Sequence, residues 1–163
     1  MTLTEFAHVY RDRAYPRDAL LMSRVFHTDV SASVLVWSEQ EFLVEFYMLF
    51  PNAVIQRHSH PFRNLMIFNS GELIGARGTN SVEVRLTDQD HGRIGRELEP
   101  GVDHWFRVGA LGATFYNLSS WTNDSEKTSA TLRYDGLPLG PRHKKMLEEH
   151  LNESTMGLSS IAL

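Results

Sequence analysis

The chain contains no cysteine. Disulfides and thiolate ligands are both excluded, so any bound metal must rely on histidine, carboxylate, amide or water. A basic excess is missing too. The formal net charge is −4, whereas nucleic-acid binding calls for a basic surface, and no nucleic-acid partner is expected. The longest apolar run, Leu43 to Pro51, is interrupted by Glu45 and falls far short of the roughly 20 residues that a bilayer-crossing helix needs. No membrane association is expected. The N-terminus lacks a basic segment leading into an apolar core, the mark of a secretory signal. The expected location is the cytoplasm. A Gly-x-Ser-x-Gly elbow is absent, which removes support for a serine hydrolase, and there is no glycine-rich phosphate loop. Neither repeats of solenoid period nor low-complexity linkers interrupt the chain.

What is present is an ordinary globular composition, 163 residues with 42% hydrophobic and 22% charged. The expectation is a single domain over residues 1–163. Thr2 and Glu5 form a capping-box pattern, and Phe6, Val9, Tyr10 and Arg13 follow at helical spacing. A short N-terminal helix is predicted, ended by Pro16.

From Leu20 onward the texture is that of strands, rich in β-branched and aromatic residues and bounded by turn signals. Leu21 to Phe26, Ser33 to Trp37, Phe42 to Phe50, Val54 to Arg57 and Val82 to Leu86 all read this way. Leu65 to Phe68 and Leu73 to Ala76 flank Asn69-Ser70-Gly71 as a hairpin would. Ile94 to Leu98 and Trp105 to Val108 bracket Pro100-Gly101, and Ala113 to Leu118 and Ser129 to Tyr134 complete about ten strands. Short strands at this spacing predict an all-β barrel or sandwich over about residues 20–134. Pro141 suits a first helical position, and a final helix is predicted over about residues 141–152. The apolar strands Val34 to Trp37 and Phe42 to Phe50 exceed what one inner barrel face needs, and they or the N-terminal stretch are expected to support a homodimer.

The chemistry-bearing stretch is Arg57-His58-Ser59-His60-Pro61. Two histidines one residue apart on extended backbone point to the same side, which lets two imidazoles reach one ion. A third, His104, follows Pro100-Gly101-Val102-Asp103. Neutral imidazole is a common ligand of transition metals, and a three-ligand set leaves positions open for substrate.

At these residues the chain resembles the cupin superfamily. Cupins carry a first motif, G-x5-H-x-H-x3–4-E-x6-G, and a second, G-x5-P-x-G-x2-H-x3-N. His58, His60 and Gly71 fall at matching places in the first, and Gly101 and His104 in the second. Asn52 stands where the first motif opens with glycine, and asparagine also tolerates the left-handed conformation. Asn64 replaces the metal-binding glutamate, and Arg93, Glu99 and Val108 occupy the other fixed positions of the second motif.

The resemblance covers about residues 41–120. It implies a cupin-like double-stranded β-helix, the jelly-roll barrel, with short helices at both ends. It also implies a divalent metal on His58, His60 and His104, with Fe(II) foremost and zinc, manganese or nickel as alternatives. In ligand set the site is similar to the three-histidine thiol dioxygenases. The implied function is a metal-dependent, non-haem Fe(II) dioxygenase or oxygenase acting on a small molecule. Two alternatives stay open. One is a metal-free isomerase or epimerase of a sugar or nucleotide-sugar, with His58 or His60 as base and Tyr116 as acid. The other is a non-catalytic small-molecule binder, with Asn64 hydrogen-bonding the ligand through its amide.

Further site candidates are inward-facing polar groups of the strands, since half of any barrel strand points inside. Tyr47, Asn64, Arg77, Arg85 and Trp105 are the substrate-binding candidates, with Arg96 and Asn117 as further interior polar positions. Tyr116 and His91 are the acid–base candidates, His91 from the polar loop Thr87 to Gly92. Arg57, Arg63, Arg77 and Arg85 all lie near the motif strands. An arginine inside a small barrel needs an anion, so an anionic substrate is expected.

Overall fold

The computed structural model describes residues 1–12, 25–39, 41–79 and 82–134. Helix α1 spans Leu3–Asp12. Its capping box forms as the sequence predicts: the Glu5 carboxylate accepts from the Thr2 backbone N–H at 2.7 Å, and Thr2 Oγ1 accepts from the Glu5 N–H at 3.2 Å. Two orphan donors of the first turn are satisfied in this way.

Seven strands follow: β1 Val25–His27, β2 Ser31–Glu39, β3 Phe42–Leu49, β4 Val54–His58, β5 Arg63–Arg77, β6 Val84–Leu86 and β7 His104–Ser120. All pairings are antiparallel, in the order β1-β2-β3-β7-β5-β6, with β4 also on β7. The C-terminal half of β7 lies between β3 and the start of β5. Its N-terminal half lies between β4 and the end of β5. One sheet thus folds over on itself, and β7 is the strand common to both halves.

The long strands correct two sequence expectations. Residues 65–68 and 73–76 are one strand, β5, and residues 105–108 and 113–118 are one strand, β7. Asn69-Ser70-Gly71 is not a hairpin but a pair of irregularities in the β5–β7 register, between Phe68 and Ser70 and between Gly71 and Leu73. Bulges bend a strand without ending it. Gly71 and Gly112 both hold positive φ there, 91° and 77°, and pack backbone to backbone. Glycine adopts that conformation at little cost. The Ile94 to Leu98 stretch contributes only two bridges, Ile67 with Ile94 and Asn64 with Leu98, rather than a full strand. Within the polar loop, Asp88–Asp90 is a single 3₁₀ turn.

A further correction lies at Ser129 to Tyr134, expected as a strand. Asp124–Thr131 is helix α2, continued by a 3₁₀ turn over Leu132–Tyr134. Local capping overrides the β-branched residues here. Asn123 Oδ1 accepts from the Glu126 N–H at 3.0 Å, and the Glu126 carboxylate accepts from the Thr122 N–H at 2.8 Å. Ala130 then packs with Leu43, Phe62 and Trp121. The helix expected over about residues 141–152 lies outside the described residues.

Two larger apolar clusters sit on opposite faces of the sheet. One joins Leu3, Phe6 and Ala7 of α1 to Val34, Phe46 and Leu118, with Phe6 stacked on Phe42 at 4.4 Å. Of the apolar residues of β2 and β3, Val34, Val36, Val44 and Phe46 belong to this cluster with α1. The second cluster, around Leu49, Phe68, Leu73 and Phe115, belongs to the interior face. Among the described residues no helix is long and apolar enough to cross a membrane.

Candidate metal centre and cavity

His58 ends β4 and His104 begins β7, and the two are direct register partners. His60 follows β4 by two residues, and its carbonyl accepts from the Gly101 N–H at 2.8 Å. That bond ties the His-x-His segment to the Pro-Gly turn before His104. Upstream, Asn52 adopts φ 60°, the left-handed turn conformation that its motif position asks for.

The three rings converge. Centroids stand 4.3 Å apart for His58–His104, 4.9 Å for His58–His60 and 5.0 Å for His60–His104. One ligand atom from each lies within 4.8 Å of the other two. His58 Nδ1 donates to the Gln56 carbonyl at 2.7 Å, and His104 Nδ1 donates to the Val102 carbonyl at 3.1 Å. A carbonyl only accepts, so both rings carry their proton on Nδ1 and turn the Nε2 lone pair toward the cluster. Burial, followed by the neighbouring His104 and His58, holds the His60 pKa down to about 4. Burial also lowers that of His104, against the opposing pull of its bond to Val102. For His60 and His104 these shifts favour the unprotonated imidazole, the form that binds metal. Three imidazole nitrogens at this spacing are a donor set of the type that divalent transition ions take.

Beside the histidines opens a cavity of about 960 Å³, walled in part by His58 and His104. Asn64, Tyr47 and Arg77 line it. Asn64 is buried, with its Nδ2 3.5 Å from Asn117 Oδ1. The Tyr47 ring stacks on Phe115 at 5.1 Å, and Arg77 is the register partner of His104.

The other candidates lie elsewhere. Arg85 is exposed and paired with Glu72 at 3.0 Å. Trp105 sits beneath Arg107, on the opposite face of β7 from His104, and is not part of the wall. Tyr116 alternates away from the wall residues Phe115 and Asn117 and packs under α1 against Tyr10 and Phe46. That placement separates it from the histidines. His91 is on the loop, with its Nδ1 donating to the Asn69 carbonyl at 2.8 Å, and it is not a wall residue.

Two features escaped the sequence. Arg93, read only as a departure from the second motif, reaches the cavity wall beside Arg96. Glu45, seen only as an interruption of an apolar run, is 2% exposed at the centre of a polar network. It accepts from Asn117 Nδ2 at 2.8 Å and from the Tyr134 hydroxyl at 2.6 Å, and lies 3.4 Å from Arg133. Burial first, and then Glu45, pushes the Tyr134 pKa up. The phenol therefore remains a donor. The available signal was a carboxylate at an inward position of β3, which demands partners wherever they lie in the sequence.

No protein-family model matches the sequence, and no curated protein matches it. Solved structures do match. An RmlC-like cupin from Shewanella frigidimarina is 15% identical, over 64% of this chain and 89% of that one, at a TM-score of 0.52. A variant of Bacillus subtilis oxalate decarboxylase is 12% identical, over 88% of this chain and 39% of that one, at 0.56. FeII HppE is 12% identical, over 60% of this chain and 56% of that one, at 0.50. At such identities the likeness concerns architecture, and on that architecture it agrees with the topology and glycine turns described above: this chain has the cupin jelly-roll fold.

Proposed function

We propose that the protein is a metal-dependent enzyme, a non-haem Fe(II) oxygenase or dioxygenase acting on a small anionic substrate. The observation that carries this reading is the convergence of His58, His60 and His104, two of them oriented by backbone carbonyls, at the wall of a large cavity. The iron named with HppE, a structural neighbour, supports the choice of metal. A ferrous ion, when bound, supplies Lewis acidity and redox capacity, with coordination positions left open by a three-ligand set.

The chain's own residues do the rest. The Gln56 and Val102 carbonyls hold two rings in the tautomer that binding needs. Asn64 brings a neutral amide where the cupin motif has a carboxylate, so the protein's ligand set adds no negative charge. The apolar wall, including Ile55, Phe106 and Phe115, presents the reacting region with a surface that does not hydrogen-bond.

The metal-free isomerase reading loses support, because it needs Tyr116 as acid beside the histidines and Tyr116 packs under α1. Elemental analysis of the purified protein, followed by anaerobic Fe(II) titration and oxygen-uptake assays on small acids, thiols and phenols, tests the proposal. Near-stoichiometric iron with substrate-dependent oxygen uptake is expected. Protein that takes up no divalent metal at these histidines overturns it.

A further inference from the structure

We infer that the cavity takes an amphipathic organic acid, a carboxylate on an apolar carbon body, with its carboxylate held between Arg77 and Arg96. This deepens the proposed function and rests on it only for which end of the ligand reacts.

The charge balance of the wall carries the inference. Among the described residues it includes Arg77, Arg93 and Arg96 but no aspartate or glutamate. Arg93 is answered by Asp90 at 3.2 Å. The acids of the surrounding strands are already engaged: Glu97 and Glu99 with Arg63, Glu72 with Arg85, and Glu83 with Arg107. Arg77 and Arg96 have no ion-pair partner among the described residues. They also act on each other, since after burial it is Arg96 that lowers the Arg77 pKa. Two guanidiniums that line one cavity and repel each other form a site for an anion, and their planar forks match a carboxylate.

The remainder of the wall selects the body of the ligand. Val30, Leu49, Ile55, Leu73, Phe106 and Phe115 all face the space, and a bare inorganic anion would leave them against water. Because Arg77 pairs in register with His104, the carboxylate sits one strand away from the histidines, and the apolar body extends along the interior.

Calorimetric titration of full-length, chelator-treated protein tests this without any metal contribution. The probes are octanoate, benzoate and 3-phenylpropanoate, each against its uncharged primary amide, with inorganic phosphate as a further arm. At least one acid should bind about tenfold more tightly than its amide. Arg77→Gln and Arg96→Gln should each remove about that preference, weakening acid binding by a larger factor than amide binding. Each variant deletes one of two repelling charges, so its melting temperature without ligand should not fall. Arg77→Lys and Arg96→Lys, which keep the charge but lose the fork, should recover only part of the preference. The inference is overturned by equal binding of acids and amides, by glutamine variants that bind acid like the parent, by phosphate binding as tightly as the best acid, or by no acid binding at millimolar concentration. The outcome is separable from the function above: acid selection in a protein that takes up no Fe(II) would sink the oxygenase reading and leave the arginine site standing.

Discussion

His58 and His104 stand opposite each other in the β4–β7 pairing, with ring centroids 4.3 Å apart. Two of the three clustered rings are thereby placed by backbone hydrogen bonding, and the third, His60, by the loop that leaves β4. Replacing one ring should cost metal affinity without costing the fold. His104→Ala is expected to lower Fe(II) affinity by about tenfold or more, with a circular dichroism spectrum like that of the parent. Unchanged affinity would remove His104 from the ligand set.

Gly71 tests the bend. Its φ of 91° disfavours any side chain, and a Cβ there would run into the Gly112 backbone. Gly71→Ala should destabilise by about 3 kcal/mol or more, measured by urea unfolding. Gly101 also has a positive φ, but nothing lies near its Cβ position. Gly101→Ala should therefore cost only about 1 kcal/mol. Equal costs at the two positions would refute the close-approach account.

Tyr134→Phe removes a donor 2.6 Å from the buried Glu45 carboxylate while keeping the ring in place. A hydrogen bond to a buried charge is worth about 1.5–3 kcal/mol, and chemical denaturation should show a loss in that range. A loss below about 0.5 kcal/mol would mean that the network does not anchor the segment after α2.

Glu126 predicts a pH dependence. Its pKa is lowered from the usual 4.5, first by the Thr122 N–H and then by the Thr122 and Asn123 side chains. A depressed carboxylate stabilises the folded state fully above the unfolded pKa, and this contribution is lost as pH falls through the folded pKa. Glu126→Gln should therefore be less stable than the parent at neutral pH, and the gap should narrow once pH drops below about 4.5. Thermal melts of both proteins across that range measure it. A gap independent of pH would exclude the charged cap.

The all-β character, the α1 cap and the histidine pair were legible because each depends on near neighbours in the chain. A capping box spans three residues, strand alternation has period two, and His58 and His60 share a side by that same period. The motif glycines were readable as turn formers, but their effect was not. Gly71 reads as a hairpin, yet it bends a continuous strand, because whether a glycine ends a strand or bulges it depends on the partner strand's register. The strand expected at Ser129 to Tyr134 failed for a local reason that was visible, the Asn123–Glu126 cap, which outweighs β propensity when one face, at Ala130, has a cluster to pack on.

Long-range pairing settled the rest. The β4–β7 register brings His104 to His58 across 46 positions of sequence. The same sheet turns Tyr116 under α1 while aiming Asn117 at Glu45, although the two are adjacent in the chain. Inward and outward faces of a strand are exchanged by a one-residue shift in register, and such shifts arise at bulges whose positions no local pattern announces. For the same reason composition could count the arginines but not sort them. Only the fold pairs Arg63, Arg85 and Arg107 with nearby acids and leaves Arg77 and Arg96 facing the cavity.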